Sequence, residues 1–326
     1  MVRKPLLLFG LAIGVMSTAA AAKPLVYVAA GSANQIIVVD AASDKVVGNY
    51  DGIENPHSVV STPDGEYIIS GTLKEKRPMK GSKTPPHSTI YLLHPVHGHV
   101  MLTMSAEGMI HHQAITPDGR FVISTHPTRG NVSIVDLQQN AVVRTVKTGN
   151  APNYAAVSKD GKTIYVSNSG SGTVSVIDTE TWTVTRALKA GPGPEHLVLS
   201  KDDKSLFVTN PGAGTVTAID LVTGEIARKF QLDTKLHGLD ISDDGTTLFV
   251  TSKGADKFIA LDPITDTRRV LSLSPAPYHL ETIEGTGKVY VSSSKSPKLW
   301  VIDQKTAKLV GEIPITGEGH QMATVQ

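Results

Sequence analysis

The chain has 326 residues, with 31 Lys and Arg against 30 Asp and Glu, 40 % hydrophobic residues and no cysteine. That balance excludes a broad electrostatic footprint for nucleic acid, and the missing thiols exclude disulfides, thiolate metal sites and CxxCH haem attachment. A chain of this length makes one large domain or two small ones, and an unbroken internal repeat decides for one.

Residues 1–22, MVRKPLLLFGLAIGVMSTAAAA, read as a secretory signal peptide. Arg3 and Lys4 give a basic start, Leu6 to Met16 an apolar run too short to span a bilayer, and Ala20-Ala21-Ala22 a small-residue cleavage site. No later segment is apolar enough to cross. The mature chain, 23–326, is expected to be a single domain, exported to the periplasm and without a membrane span.

The mature chain starts inside a repeat. LVYVAAGSANQIIVVD and KVVGNY supply the second, third and fourth strands of a four-stranded unit, with no first strand before them. The next unit, NPHSVVSTPDGEYIISG, is interrupted by TLKEKRPMKGSKTPPH, which carries Lys74, Lys76, Arg77, Lys80 and Lys83 against the single acid Glu75. This predicts a basic flap able to attract an anionic ligand or partner. MIHHQAITPDGRFVISTHPTRGNVSIVD follows, then the most regular copy, APNYAAVSKDGKTIYVSNSGSGTVSVIDTETWTVTRAL. Copies beginning PEHLVLS, KLHGLDI and PYHLETI complete the series, and HQMATVQ at the end is a first strand with nothing after it. Val, Ile, Thr and Tyr fill each strand, and Gly, Asp, Asn and Ser punctuate them.

The third strand ends at Asp40, His94, Asp136, Asp178, Asp220, Asp262 and Asp303, spaced 54, 42, 42, 42, 42 and 41 residues apart. One such unit cannot bury its own faces, so copies must stack. The expected fold is all-β: a seven-bladed β-propeller of four-stranded antiparallel blades, its ring closed by the C-terminal strand completing the N-terminal blade. Such closure leaves no free edge, and a monomer is expected.

YVSNSGSGTVSVIDTET and FVTNPGAGTVTAIDLVT resemble the YVTN family of bacterial seven-bladed propellers, which overlaps the haem d1-binding propellers such as the second domain of cytochrome cd nitrite reductases. The resemblance spans the mature chain. It implies the fold, and a metallo-tetrapyrrole such as haem d1 as one candidate ligand.

Aligned on their second strands, the copies place a histidine at the start of nearly every first strand: His57, His111 with His112, His196, His237 and His279, with His320 at the same place in the closing strand. Only 12 residues of the chain are His, so chance scatter rarely does this. In a propeller these positions ring one mouth of the central channel, and imidazoles converging there have no packing purpose. Histidine in this density suits copper, zinc, iron or nickel. Because metal–nitrogen bonds are about 2 Å, seven blades cannot all reach one ion; three or four neighbours, a cluster, or one axial haem ligand are the options.

The adjacent pair His111-His112 with single histidines on other blades is similar to nitrous oxide reductase, whose propeller holds a multicopper cluster on histidines alone. The cysteine-bearing electron-entry copper domain of that enzyme is absent here. The same ring fits periplasmic copper or zinc metallochaperones built on propellers.

The loops between second and third strands open on the same face and add His87, His126, Arg129 and, from the basic flap, Arg77 as candidate cofactor-binding groups. Asp240 and Glu281 share a register one step inside the channel and are expected to orient histidines. Met109 and Met322 flank the His pair and His320, where thioethers would suit Cu(I). His94, His97 and His99 belong to the opposite face and read as an incidental turn.

No GxxxxGKS, GxSxG or Ser-His-Asp grouping is present, and no basic-aromatic stripe suggests single-strand binding. The leading expectation is a periplasmic protein that binds a transition metal, copper first and zinc second, as a carrier or as the redox partner of another periplasmic protein. The alternatives are a haem d1 protein, its carboxylates met by the flap, and a lactonase or lyase. NPHSVVSTPDG resembles a lactonase repeat, which would make Arg129, Glu195 and Glu281 acid–base groups.

Overall fold

A computed structural model describes residues 24–325; the expected signal peptide, 1–22, lies outside them. The described residues form seven four-stranded antiparallel sheets, each in contact with the next through its innermost strand, and the series returns to its start. This is the seven-bladed propeller that the repeat predicts. Among the described residues no helix is long and apolar enough to cross a membrane.

The first blade is composite. Met322–Val325 pairs antiparallel with Leu25–Ala30, with Met322 opposite Val28 and Val325 opposite Leu25. The ring is therefore closed by hydrogen bonds between the two ends of the chain.

Each repeated residue has a mechanical reason. The Asp ending each third strand caps the turn after it: Asp178 Oδ1 accepts the N–H of Glu180 and Thr181, and Asp220 Oδ1 those of Val222 and Thr223. His94 does the same work in the second blade, where its Nδ1 accepts the Val96 N–H at 3.2 Å. That gives His94 a structural part in the HPVHGHV turn.

The alternate residues of the middle strands pack between blades, as in the cluster of Phe207, Val216, Phe230, Leu236, Val250 and Ile259 between the fifth and sixth. Met322 belongs to such a core, among Val26, Val28 and Tyr290. It is filling, so its sulfur is not the copper ligand its place in the sequence suggested.

Candidate metal centre

The innermost strands carry the site, and in the third to seventh blades a second-strand hydroxyl holds their backbone in register. In the second strand, Thr125, Ser167, Thr209 and Thr251 occupy the Ser/Thr position of the YVTN-like motif. Thr125 Oγ1 accepts the His112 N–H at 3.0 Å and donates to the Asn153 carbonyl of the next blade at 2.8 Å. Thr209 Oγ1 accepts the His196 N–H at 3.1 Å and reaches the His237 carbonyl at 3.4 Å. Ser167 links Tyr154 to Glu195, and Thr251 links Gly238 to Tyr278, in the same way. The backbones that carry the ring are thus stapled blade to blade.

A strand alternates its side chains between two faces, so only one of two neighbours should face the axis. Here the ladder slips at the mouth, between Pro152 and Ala155, Leu236 and Leu239, and Pro277 and Leu280. Such a bulge re-aims the residues it holds, and Tyr278 and His279, neighbours in the chain, both meet the His237 ring. An outer position holds His57, His111, His237 and His320, and the next residue along holds His112, His196 and His279.

All seven predicted imidazoles meet. His57 lies 4.7 Å from His111, 5.2 Å from His112 and 4.4 Å from His320, centroid to centroid. His196 lies 5.2 Å from His112, 4.5 Å from His237 and 4.9 Å from His279. Three triads have ligand nitrogens within 4.8 Å of one another: His57, His111 and His112; His57, His279 and His320; His112, His196 and His279. His57, His112 and His279 each belong to two of them.

Five of the seven rings are buried, and all seven are held toward the neutral form. His57, His112, His196, His237 and His279 are at most 5 % exposed, and burial, helped by the neighbouring imidazoles, holds each far below the ordinary imidazole value. His320 is brought down to about 4 by burial and then by His111 and Lys253. Burial also lowers His111, against its hydrogen bond to Asn153.

Neutral imidazole has one donor and one lone pair, and a carbonyl can only accept. His112 Nδ1 therefore donates to the Asn153 carbonyl at 3.0 Å, which leaves the Nε2 lone pair facing the cluster. Among the described residues that Nε2 has no hydrogen-bond partner, and neither has either nitrogen of His57, Nε2 of His196 or Nδ1 of His320; Nδ1 of His237 makes no hydrogen bond but has the Glu195 carboxylate beside it. A buried polar atom left this way costs about 1–3 kcal/mol.

The other expected groups stand elsewhere. His126 is locked into the fold, Nδ1 donating to the Met109 carbonyl at 2.9 Å and Nε2 meeting Ser133 Oγ at 2.8 Å. It replaces Asn168 and Asn210, whose amides bond Ser175 and Thr217 in the same place. His126 is thus a corrected assignment, a structural side chain rather than a cofactor ligand. Arg129 is occupied by Glu75 at 3.0 Å and faces Glu107 at 3.8 Å. His87 rests on the Pro85 carbonyl at 3.4 Å. Lys74 and Lys76 of the flap are paired with Glu54, while Arg77, Lys80 and Lys83 are exposed.

Asp240 and Glu281 do not orient imidazoles. Asp240 accepts the N–H of Ile241 at 2.8 Å and of Thr282 at 2.7 Å, and neither carboxylate bonds a histidine among the described residues. Both line a cavity of about 340 Å³ toward the opposite face, with Lys159 and Lys201 among its other residues. Burial raises both above the ordinary carboxylate value, and for Glu281 the neighbouring Asp240 adds to it. Tyr154 separates the two regions, 4.5 Å from His196 and 4.8 Å from His112, and it also lines the cavity. The carboxylate that does approach an imidazole is Glu195, whose Oε2 is 3.3 Å from His237 Nδ1. It shares the outer ring position with the histidines, a register the sequence displayed.

Residues 162–262 match a family profile described as a YNCE-like beta-propeller, and residues 89–195 match the cytochrome D1 heme domain. Each match covers under half of the chain. Among solved structures, the periplasmic gluconolactonase PpgL of Pseudomonas aeruginosa is 20 % identical with a TM-score of 0.73, over 94 % of this chain and 99 % of that one. The hydrazine synthase of Kuenenia stuttgartiensis is 18 % identical with a TM-score of 0.71, over 82 % and 89 %. The dihydro-heme d1 dehydrogenase NirN, solved in complex with DHE, is 13 % identical with a TM-score of 0.67, over 90 % and 74 %. Identities this low establish the fold alone. No curated protein sequence matches the chain.

Proposed function

We propose that this propeller binds a transition metal, copper first and zinc second, through the seven histidines of one channel mouth, as a carrier or redox partner in the periplasm. The observation that carries the reading is the set of buried, unpartnered nitrogens on converging neutral imidazoles. A set of nitrogen donors without thiolate suits copper and zinc. Because the triads overlap at His57, His112 and His279, more than one ion per chain is expected. The exposed Arg77, Lys80 and Lys83 on the flap supply a basic rim for an acidic partner. Metal analysis of protein purified from the periplasm, followed by copper and zinc titration, tests the reading. A chain that emerges empty and takes up neither ion at micromolar concentration refutes it.

Haem d1 is the second reading, favoured by the heme-domain match over a segment containing His111 and His112. His111 and His320, the more open rings, are then the axial candidates, and the flap cations face the macrocycle carboxylates. A Soret band on reconstitution supports it, and tight ion binding without one supports the first. The groups a lactonase would use do not gather: Arg129 is held by Glu75, Glu195 is beside His237, and Glu281 lines the opposite cavity.

A further inference from the structure

Glu195 holds the ring position that His57, His111, His237 and His320 hold in other blades. Its side chain is 29 % exposed, against 6 % for that of His237. Its Oε2 lies 3.3 Å from His237 Nδ1, a buried nitrogen that the carboxylate approaches without hydrogen-bond geometry and that has no other partner among the described residues. Across the same ring, His237 Nε2 lies 3.4 Å from His279 Nε2. Two donors bound at about 2 Å to one tetrahedral ion stand roughly 3.3 Å apart, so each gap has the span of a two-donor seat. One imidazole thereby walls both an outer seat reached by solvent and an inner seat within the buried cluster.

We infer that Glu195 Oε2 and His237 Nδ1 form a capture seat for a divalent copper or zinc ion, upstream of the buried triads. The inference rests on the metal-binding reading and adds the route by which the ion arrives. An incoming hydrated cation meets a mouth of neutral rings, where a carboxylate supplies the only favourable charge in the ring positions. Glu195 precedes His196 in the chain and its Oε2 reaches His237, whose ring is 4.5 Å from that of His196, so the carboxylate stands at the edge of the imidazole cluster. Lys253 opposes it. Its ammonium lies 4.8 Å over the Tyr278 ring and acts on His196, His237 and His320. The capture step exchanges bound water for the carboxylate oxygen and the Nδ1 lone pair, with no change of oxidation state. Transfer inward replaces these by His237 Nε2 and His279: the Nε2 proton leaves to bulk water as the ion binds there, and Nδ1, released by the ion, takes up one proton from water beside Glu195, so the ring ends neutral in its other tautomer.

The test is stopped-flow uptake of zinc by the metal-free full chain at low ionic strength, with final stoichiometry measured on the same samples. Glu195→Gln is expected to slow uptake about tenfold, in line with electrostatic steering, and to leave the final stoichiometry unchanged. Glu195→Asp is expected to restore most of the rate, and Lys253→Gln to raise it. Uptake by Glu195→Gln at the wild-type rate overturns the inference. So does a lower stoichiometry at an unchanged rate, which would make Glu195 a permanent ligand. Wild-type protein that takes up no ion overturns the metal-binding reading itself. Circular dichroism of each variant separates a folding defect from a slow mouth, and Glu195→Ala carries the test if Glu195→Gln misfolds, with the same slowing expected and a wild-type rate overturning the inference.

Discussion

His57 and His126 are both buried histidines, and the same substitution should move their stabilities in opposite directions. His57 is 4 % exposed and neither ring nitrogen has a partner. Leu is of similar size, so His57→Leu keeps the packing and removes the unpaired groups, stabilising the metal-free protein by about 1–3 kcal/mol. Unfolding entropy of about 2.1 cal/mol/K per residue over roughly 300 residues converts this to a Tm gain of about 2–5 °C. His126 is 1 % exposed but satisfied on both nitrogens, at 2.9 and 2.8 Å. His126→Leu strands the Met109 carbonyl and Ser133 Oγ, so a loss of about 2–4 kcal/mol is expected. Differential scanning calorimetry of chelator-treated protein reads both. With copper present the wild type should overtake His57→Leu, because His57 belongs to two of the three triads. If metal-free His57→Leu falls as far as His126→Leu, the nitrogens of His57 have partners and the central argument for a metal fails.

Acid should unfold the metal-free protein early. His57, His111, His112, His126, His196, His237, His279 and His320 all titrate below the free value of 6.5 when folded, His126 and His320 at about 4. The unfolded chain therefore binds protons first. Stability is full above pH 6.5 and drains as pH falls toward 4, by up to about 1.4 kcal/mol per group per unit. Asp240 and Glu281, raised when folded, act with the opposite sign, but they are two against eight. A denaturation midpoint flat from pH 7 to about 4.5 contradicts this, and bound metal should shift the loss to lower pH. Gly238→Ala places a Cβ 2.7 Å from the Tyr278 carbonyl and 3.0 Å from the Leu280 nitrogen. It should cost about 2–3 kcal/mol and weaken metal binding by moving His279; an unchanged midpoint in urea argues against the close approach. Thr209→Val removes the staple between His196 and His237, and should cost about 1–2 kcal/mol while weakening metal affinity at unchanged stoichiometry, read by calorimetric titration.

How far the sequence reaches follows from what a propeller does to residue numbers. With a fixed period, position within a copy is position in the ring, so seven histidines far apart in the chain were legible as neighbours. What the period does not carry is contact between different positions in the copy. Asp240 and Glu281 lie two residues inward of the His196 and His279 position, on the same strand face. Two residues of strand span about 7 Å, which takes the carboxylates past the imidazoles and into the opposite cavity. The pairing of Arg129 with Glu75 joins a loop of the third blade to the flap of the second, and no local pattern announces it. His126 was decidable from register alone, since it stands where Asn168 and Asn210 stand. Glu195 was equally visible at the ring position, where the lactonase resemblance made it an acid–base candidate; its approach to His237 joins two blades and lies outside the period.

The fourth blade separates the scaffold from the site. It has Asn153 and Tyr154 at the two ring positions and yet keeps the hydroxyl staple, with Ser167 linking Tyr154 to Glu195. The fold therefore builds a blade without any ring histidine. In the third, fifth, sixth and seventh blades, which do carry them, backbone order comes from Thr125, Thr209, Thr251 and Ser292, and the imidazoles add unpaired nitrogens that oppose folding. A side chain that the architecture does not need, and that costs stability when its lone pairs face nothing, is the physical ground on which the proposed metal rests.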